Sequence, residues 1–200
     1  MMKYDLQKHH RRSVRLQGYD YSRAGAYYIT IVVQGRGHLF GEVVNGEMKL
    51  NRYGKIVLQA WLDLPKHYPH VELGAFCIMP NHAHGIIILY DDDNVAGLRP
   101  APTERPAPTA AIVGWERPDV HDETRPYGRK RHPLSEIVRA FKSFSAKRIN
   151  VLRKTPGIPV WQRNYYEHII RNEQDYQAKH DYILSNPENW EEDDENQSQS

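Results

Sequence analysis

The sequence has little cysteine and no long apolar run. Cys77 is its single cysteine, which excludes an intramolecular disulfide and a zinc site built from several thiolates. No stretch of about 18 apolar residues occurs and no secretory signal pattern is found, so we expect a cytoplasmic protein without a membrane-spanning helix. A phosphate-binding Walker loop is also missing.

The charge is unevenly distributed. The formal net charge is only +2 for 200 residues, yet residues 8–23 carry five basic side chains and one acid, whereas residues 188–195 carry six acids and no base. The acidic end lowers the total, so the rest of the chain is more basic than the sum suggests. The basic N-terminal arm can contact nucleic-acid phosphates or can be an ordinary solvated terminus.

Proline divides the chain. Residues 91–133 hold seven of the thirteen prolines and a near-repeat, Arg-Pro-Ala-Pro-Thr, at 99–103 and 105–109. Such a segment buries too little apolar surface to offset the entropy lost on ordering. We therefore expect a single domain formed by residues 1–90 and 133–190, interrupted by a disordered insertion at 91–132 and followed by an acidic, polar tail at 191–200.

Periodicity within the domain predicts both strands and helices. Strands are expected at 26–33, 71–79 and 82–90 because β-branched, aromatic and apolar residues dominate there. Asn45-Gly46 predicts a type I′ hairpin over 39–50. Helices are expected at 52–64, where Pro65 should end the helix, at 134–153 and at 173–185. In the second helix the predicted buried stripe is Leu134, Ile137, Val138, Phe141, Phe144, Ile149 and Leu152.

The strand over 82–90 carries the first candidate site. Side chains alternate along a strand, so His82 and His84 point to one face while Ala83 and Gly85 point to the other. Two neutral imidazoles on one face can hold a divalent metal. A His-x-His pair on a strand is more often incidental or simply hydrogen-bonded than a metal site.

The helix over 173–185 carries the second candidate site. Tyr182 and Asn186 are four residues apart and can project from one helical face, with Pro187 ending the helix. A phenol can act as a nucleophile, and an amide oxygen can ligate a metal. With thirteen tyrosines in the chain, composition alone does not select Tyr182.

The order of these motifs resembles a known family. Pro80-Asn81-His82-Ala83-His84, then Trp161-Gln162, then Asp181-Tyr182-Ile183-x-x-Asn186-Pro187 are similar to the REP-associated tyrosine transposases, which belong to the single-tyrosine HUH nucleases. His-x-His alone is a weak signal, but the three segments in this order are specific. The usual bulky residue between the two histidines is here Ala83.

The resemblance implies a fold and a site. The fold would be an α+β layer, an antiparallel β-sheet with packed helices that resembles the ferredoxin-like or RNA-recognition-motif arrangement. His82, His84 and Asn186 would hold a divalent metal, Mg2+ or Mn2+, and Tyr182 would be the catalytic nucleophile. The product would be a 5′-phosphotyrosine with a free 3′-hydroxyl, which permits later strand transfer or religation.

The resemblance also implies a partner, single-stranded DNA with a neighbouring hairpin, handled by a monomer or homodimer at the nucleoid. An unpaired strand can follow a basic groove and stack on aromatic side chains; Tyr165 and Tyr166 can serve as such a platform or pack in the core. The candidates for backbone contact are Arg11, Arg12, Arg15, Lys142, Lys147, Arg163 and Arg171.

Two other functions fit the same residues. A domesticated relative would bind structured DNA or RNA without cutting it, independently of metal and without a covalent adduct. A metal hydrolase would use water as its nucleophile, and Tyr182→Phe would then retain cleavage.

Overall fold

The computed structural model describes residues 18–90, 132–193 and 196. The strands are β1 Gly25–Val32, β2 Gly41–Val44, β3 Glu47–Leu50, β4 Val71–Ile78, β5 His82–Leu89 and β6 Tyr166–Ile170. The helices are α1 Arg52–Leu62, α2 Leu64–His67, α3 Leu134–Arg153 and α4 Glu173–Ser185, with short 3-10 turns at Gln34–Arg36 and Trp190–Glu192.

Four strands form one antiparallel sheet in the order β4-β5-β1-β6. The strands β2 and β3 form a separate hairpin. When this hairpin is set aside, the chain runs strand, helix, strand, strand, helix, strand, with the first and third strands in the centre of the sheet. This arrangement confirms the expected α+β fold with an antiparallel, ferredoxin-like sheet.

The main core covers one face of the sheet. The residues of β1 and β5 that point to this face are buried, and α1 and α3 pack over them. Small side chains on β5 admit the indole of Trp61, whose ring stacks on Phe76 with centroids 4.2 Å apart. The principal residues of this main core are Tyr27, Ile29, Ile31, Val57, Trp61, Phe76, Ala83, Ile87, Leu89, Ile137 and Phe141.

The opposite face carries the histidines and a smaller core. All eight residues of β5 are buried, so both faces of the strand are covered. The helix α4 contributes Ile183 to this second core. Its other members are Tyr28, Ala75, Cys77, Met79, Ile86, Ile88 and Trp190. The candidate site therefore lies between the sheet and α4, away from α1 and α3.

Three local predictions differ from the structure. Pro65 does not end the helical segment: it lies in the first turn of α2, where a missing N–H removes no hydrogen bond. Phe144 and Leu152, expected in the buried stripe of α3, are 49% and 41% exposed. Ser145 is buried instead, where its hydroxyl donates to the carbonyl of Phe141 and accepts from Trp161 Nε1.

Several sequence predictions fall outside the described residues. These include Arg11, Arg12 and Arg15 of the basic arm and residues 91–131 of the proline-rich insertion. Among the helices in the described ranges, none is both long and apolar enough to cross a membrane.

The close approach of Trp61 to Gly85 generates a stability prediction. A Cβ added at Gly85 would lie 2.6 Å from an indole carbon of Trp61 and 2.9 Å from a ring carbon of Phe76. We expect Gly85→Ala to lower the free energy of unfolding by about 1–3 kcal/mol, because stacked rings cannot yield without loss of packing. Urea denaturation measures the change.

Gly37 provides the matched control for this experiment. A Cβ there meets no atom within 4 Å, and its φ of −68° suits any residue. Gly37→Ala should leave stability nearly unchanged. Equal stability of both variants would contradict the packing described for β5.

Candidate active site

His82 and His84 stand side by side on β5, and both are held through their Nδ1 atoms. Their ring centroids are 4.4 Å apart. His82 Nδ1 lies 2.8 Å from Asn81 Oδ1, an acceptor, so this nitrogen carries the proton. His84 Nδ1 lies 2.8 Å from the Tyr28 hydroxyl and 2.9 Å from that of Thr30. These contacts fix the orientation of both rings, so the two Nε2 atoms point away from Asn81, Tyr28 and Thr30.

The two Nε2 atoms are available to a ligand. Within the described part of the chain, both are buried without a hydrogen-bond partner. Burial lowers the pKa of His82 to about 4, partly opposed by the nearby Asp193 carboxylate and Asn186 amide. Burial also holds the pKa of His84 well below its usual value, with further lowering from His82 and Lys179. Both imidazoles are therefore neutral near pH 7, the state that ligates metals.

The helix α4 brings Tyr182 and Asn186 to the histidines. Its N-terminus is capped by Asn172, whose side chain accepts from the N–H of Asp175 at 2.8 Å. Asn186 keeps helical dihedral angles at the C-terminal end, so it lies one turn beyond Tyr182. The Tyr182 ring is 46% exposed, with its centroid 5.3 Å from that of His84, whereas Asn186 is buried.

Asp193 joins this group although sequence reasoning placed it in the acidic tail. Asn186 Nδ2 donates to Asp193 Oδ2 at 3.0 Å, and the same oxygen lies 3.9 Å from His82 Nε2. Ligand atoms of His82, His84 and Asp193 all lie within 4.8 Å of one another. Because the amide nitrogen of Asn186 donates to the Asp193 carboxylate, Asn186 Oδ1 is the amide atom that this hydrogen bond does not use. Among the described residues it has no hydrogen-bond partner, although it is buried.

Trp190 explains why Asp193 is folded into the site. The 3-10 turn Trp190–Glu192 buries this indole, whose ring centroid lies 6.0 Å from that of His82 and 5.5 Å from that of His38. A large aromatic residue within a run of acids was the signal that could have identified a packed segment.

The donor set fits a divalent metal. It combines two neutral imidazole nitrogens, an amide oxygen and a carboxylate, all nearly excluded from water. Buried polar atoms without hydrogen-bond partners are uncommon in folded proteins, and a ligated ion is one explanation for three of them together. His82, His84 and Asp193 could together hold a metal ion, and the buried Asn186 Oδ1 offers a further oxygen.

Two predicted DNA-binding lysines lie on α3, which packs on the sheet face opposite the histidines. Lys142 Nζ donates to the carbonyls of Gln162 and Arg163 at 2.7 and 2.8 Å, and burial lowers its pKa to about 8. Lys147 is exposed. Contact of either lysine with DNA stays a prediction.

Two predicted DNA-binding arginines flank β6. Arg163 and Arg171 are both exposed, one before and one after the strand. The Arg171 backbone N–H donates to Asp175 Oδ2, and this carboxylate also accepts from His168. Their contact with DNA also stays a prediction.

The chain is similar in sequence to two known proteins over most of its length. No protein-family profile matches the chain. An uncharacterized protein of Haemophilus influenzae is 39% identical over 192 residues, 96% of either chain. A provisionally named REP-associated tyrosine transposase of the same organism is 25% identical over 168 residues, 84% of this chain and 73% of the relative.

A solved structure shares the fold. It is a REP-associated tyrosine transposase bound to a REP hairpin, with a TM-score of 0.52 and 18% identity, covering 88% of this chain and 73% of that one. The motif order, the antiparallel sheet and these relatives agree: the chain is similar to the REP-associated tyrosine transposases in sequence and in fold.

Proposed function

We propose that this protein is a metal-dependent single-stranded DNA endonuclease and transposase, which cuts and rejoins DNA beside hairpins through a 5′-phosphotyrosine on Tyr182. One observation supports this proposal most strongly. An exposed tyrosine ring lies 5.3 Å from the ring of a buried histidine whose Nε2 has no hydrogen-bond partner among the described residues. The proposed nucleophile on α4 therefore lies over the sheet face that carries the proposed cation site.

The proposed metal site uses His82 Nε2, His84 Nε2 and Asn186 Oδ1. A bound Mg2+ or Mn2+ polarises phosphate oxygens and neutralises charge that develops during attack. Asn81 holds the His82 proton at Nδ1, while Tyr28 and Thr30 orient His84. Asp193 fixes the rotation of the Asn186 amide, since only the nitrogen of that amide can donate to a carboxylate.

In the proposed step, Tyr182 Oη forms a bond to the scissile phosphorus and releases its proton to water. The bond between phosphorus and the 3′-oxygen breaks, and that oxygen takes up a proton. The 5′-phosphate stays on Tyr182 as a diester, so no phosphodiester is lost overall. A 3′-hydroxyl of the same or another strand can reverse the step without ATP.

The proposed partner is single-stranded DNA next to a hairpin. The solved relative is bound to a REP hairpin, and the exposed arginines around β6 suit a polyanion. The short distance between Tyr182 and His84 within one chain favours catalysis by a single protomer, whether the protein is a monomer or a homodimer. We place this activity in the cytoplasm, at the nucleoid.

The covalent intermediate provides the first test. Hairpin DNA from the flanks of the gene, labelled at its 3′ end, is incubated with Mn2+ and separated on a denaturing gel. We expect label on wild-type protein and none on Tyr182→Phe or His84→Ala, because one variant lacks the nucleophile and the other a metal ligand. Tyr53→Phe on α1 is the matched control and should retain the adduct.

Two results would contradict the proposal. Cleavage by Tyr182→Phe without attached protein would indicate a water nucleophile. Metal-independent binding of every hairpin by wild-type protein, with no adduct, would indicate a binding protein.

The metal shell is tested separately from activity by titrating Mn2+ calorimetrically. We expect Asn186→Ala to weaken binding about 10-fold or more, because it removes an oxygen ligand. Asp193→Ala should weaken binding more than Asp193→Asn, since asparagine still offers an oxygen to the Asn186 amide. Unchanged affinity in Asn186→Ala would exclude this residue from the shell.

The buried histidines also predict a pH dependence of the metal-free protein. The folded-state pKa of His82, about 4, lies below its unfolded value near 6.5. The unfolded state therefore binds more protons as pH falls through 6.5, so stability should decrease from pH 7 towards pH 4.

Urea midpoints in EDTA at several pH values measure this decrease. His82→Gln removes the titrating group, so its midpoint should fall less steeply over the same range. Identical slopes for wild type and His82→Gln would contradict the assigned neutral state.

A further inference from the structure

Tyr166 lies in the same row of the sheet as His84. Thr30 on β1 pairs with His84 on one side and with Tyr166 on the other. Directly paired residues of antiparallel strands project to the same face. Tyr166 therefore stands two strands from His84, about 10 Å away, on the face that holds the candidate active site.

The surroundings of Tyr166 differ from those of its neighbour Tyr165. Tyr165 is half-buried against the main core, whereas Tyr166 is 42% exposed on the edge strand β6. The Tyr166 ring meets that of Tyr28 edge-on, with centroids 6.2 Å apart. Tyr28 is buried and makes an equivalent edge contact with Tyr182, also at 6.2 Å. Two exposed tyrosines thus flank one buried ring.

A lysine ammonium lies over the buried ring between these two tyrosines, and two exposed arginines flank β6 along the chain. Lys179 Nζ lies 5.1 Å from the centroid of Tyr28. Arg163 precedes Tyr166 by three residues, Arg171 follows β6, and both are exposed. An exposed aromatic face among cationic side chains is the surface that unpaired nucleotides bind, because bases stack and phosphates are neutralised.

We propose that Tyr166 stacks on the unpaired base next to the scissile phosphate and so positions the strand across the sheet. This inference rests on the proposed function, in which the phosphate lies at His84 and Tyr182. A strand that continues from there over Thr30 reaches Tyr166 before it leaves the sheet edge. Stacking tolerates any base, so this residue sets the path of the strand and not its sequence.

The test uses hairpin DNA from the flanks of the gene, with 2-aminopurine placed at successive unpaired positions. Tyr182→Phe serves as the background, so the DNA stays uncut. We expect fluorescence quenching at one position beside the cleavage site. Adding Tyr166→Ala should abolish that quenching and weaken binding about 10-fold, whereas Tyr166→Phe should retain both because the ring remains.

Two controls separate stacking from folding and from catalysis. Thermal unfolding and Mn2+ affinity should match between Tyr166→Ala and Tyr166→Phe, since neither change touches the ligands. Equal quenching in the two variants, or none with any probe, would overturn the role of Tyr166. Normal Tyr166-dependent quenching, together with no adduct on wild-type protein, would overturn the proposed cleavage and leave the stacking role intact.

Discussion

The alternation of side chains along β5 is the constraint on which the rest of the structure depends. Ala83 and Gly85 face the main core and leave room for Trp61, while His82 and His84 face α4. The strand is buried on both faces, so a shift of one residue would move the imidazoles into an apolar core. Core packing and site geometry are thus fixed by the same hydrogen-bonded register.

The second sheet face concentrates polar chemistry within a small core. The hydroxyls of Tyr28 and Thr30 form hydrogen bonds with His84 Nδ1, and burial keeps the imidazoles of His82 and His84 neutral. The cost of burying these groups falls when a cation takes the remaining lone pairs. The fold itself therefore keeps both imidazoles oriented and neutral, and α4 brings Tyr182 and Asn186 close to them.

Much of the fold was predictable from the sequence, because strand alternation, turns and helix bounds depend on local sequence patterns. The alternation in β5, the Asn45-Gly46 turn and the bounds of α3 follow from periodicity and turn chemistry. The strand β6 was not predicted, since buried Glu167 places a polar residue where an apolar one is expected. Asp193 was missed because a run of acids predicts a solvated tail, whereas Trp190 packs that segment against His82.

A diffraction experiment can locate a bound metal relative to the two histidines and Tyr182. Crystals of the Tyr182→Phe protein with Mn2+ and hairpin DNA should show one anomalous peak within bonding distance of His82 Nε2, His84 Nε2 and Asn186 Oδ1, with a phosphate oxygen as a further ligand. The residue 182 ring should face that phosphorus. A peak elsewhere, or a phosphate bound at this site without any metal, would contradict the proposed metal site.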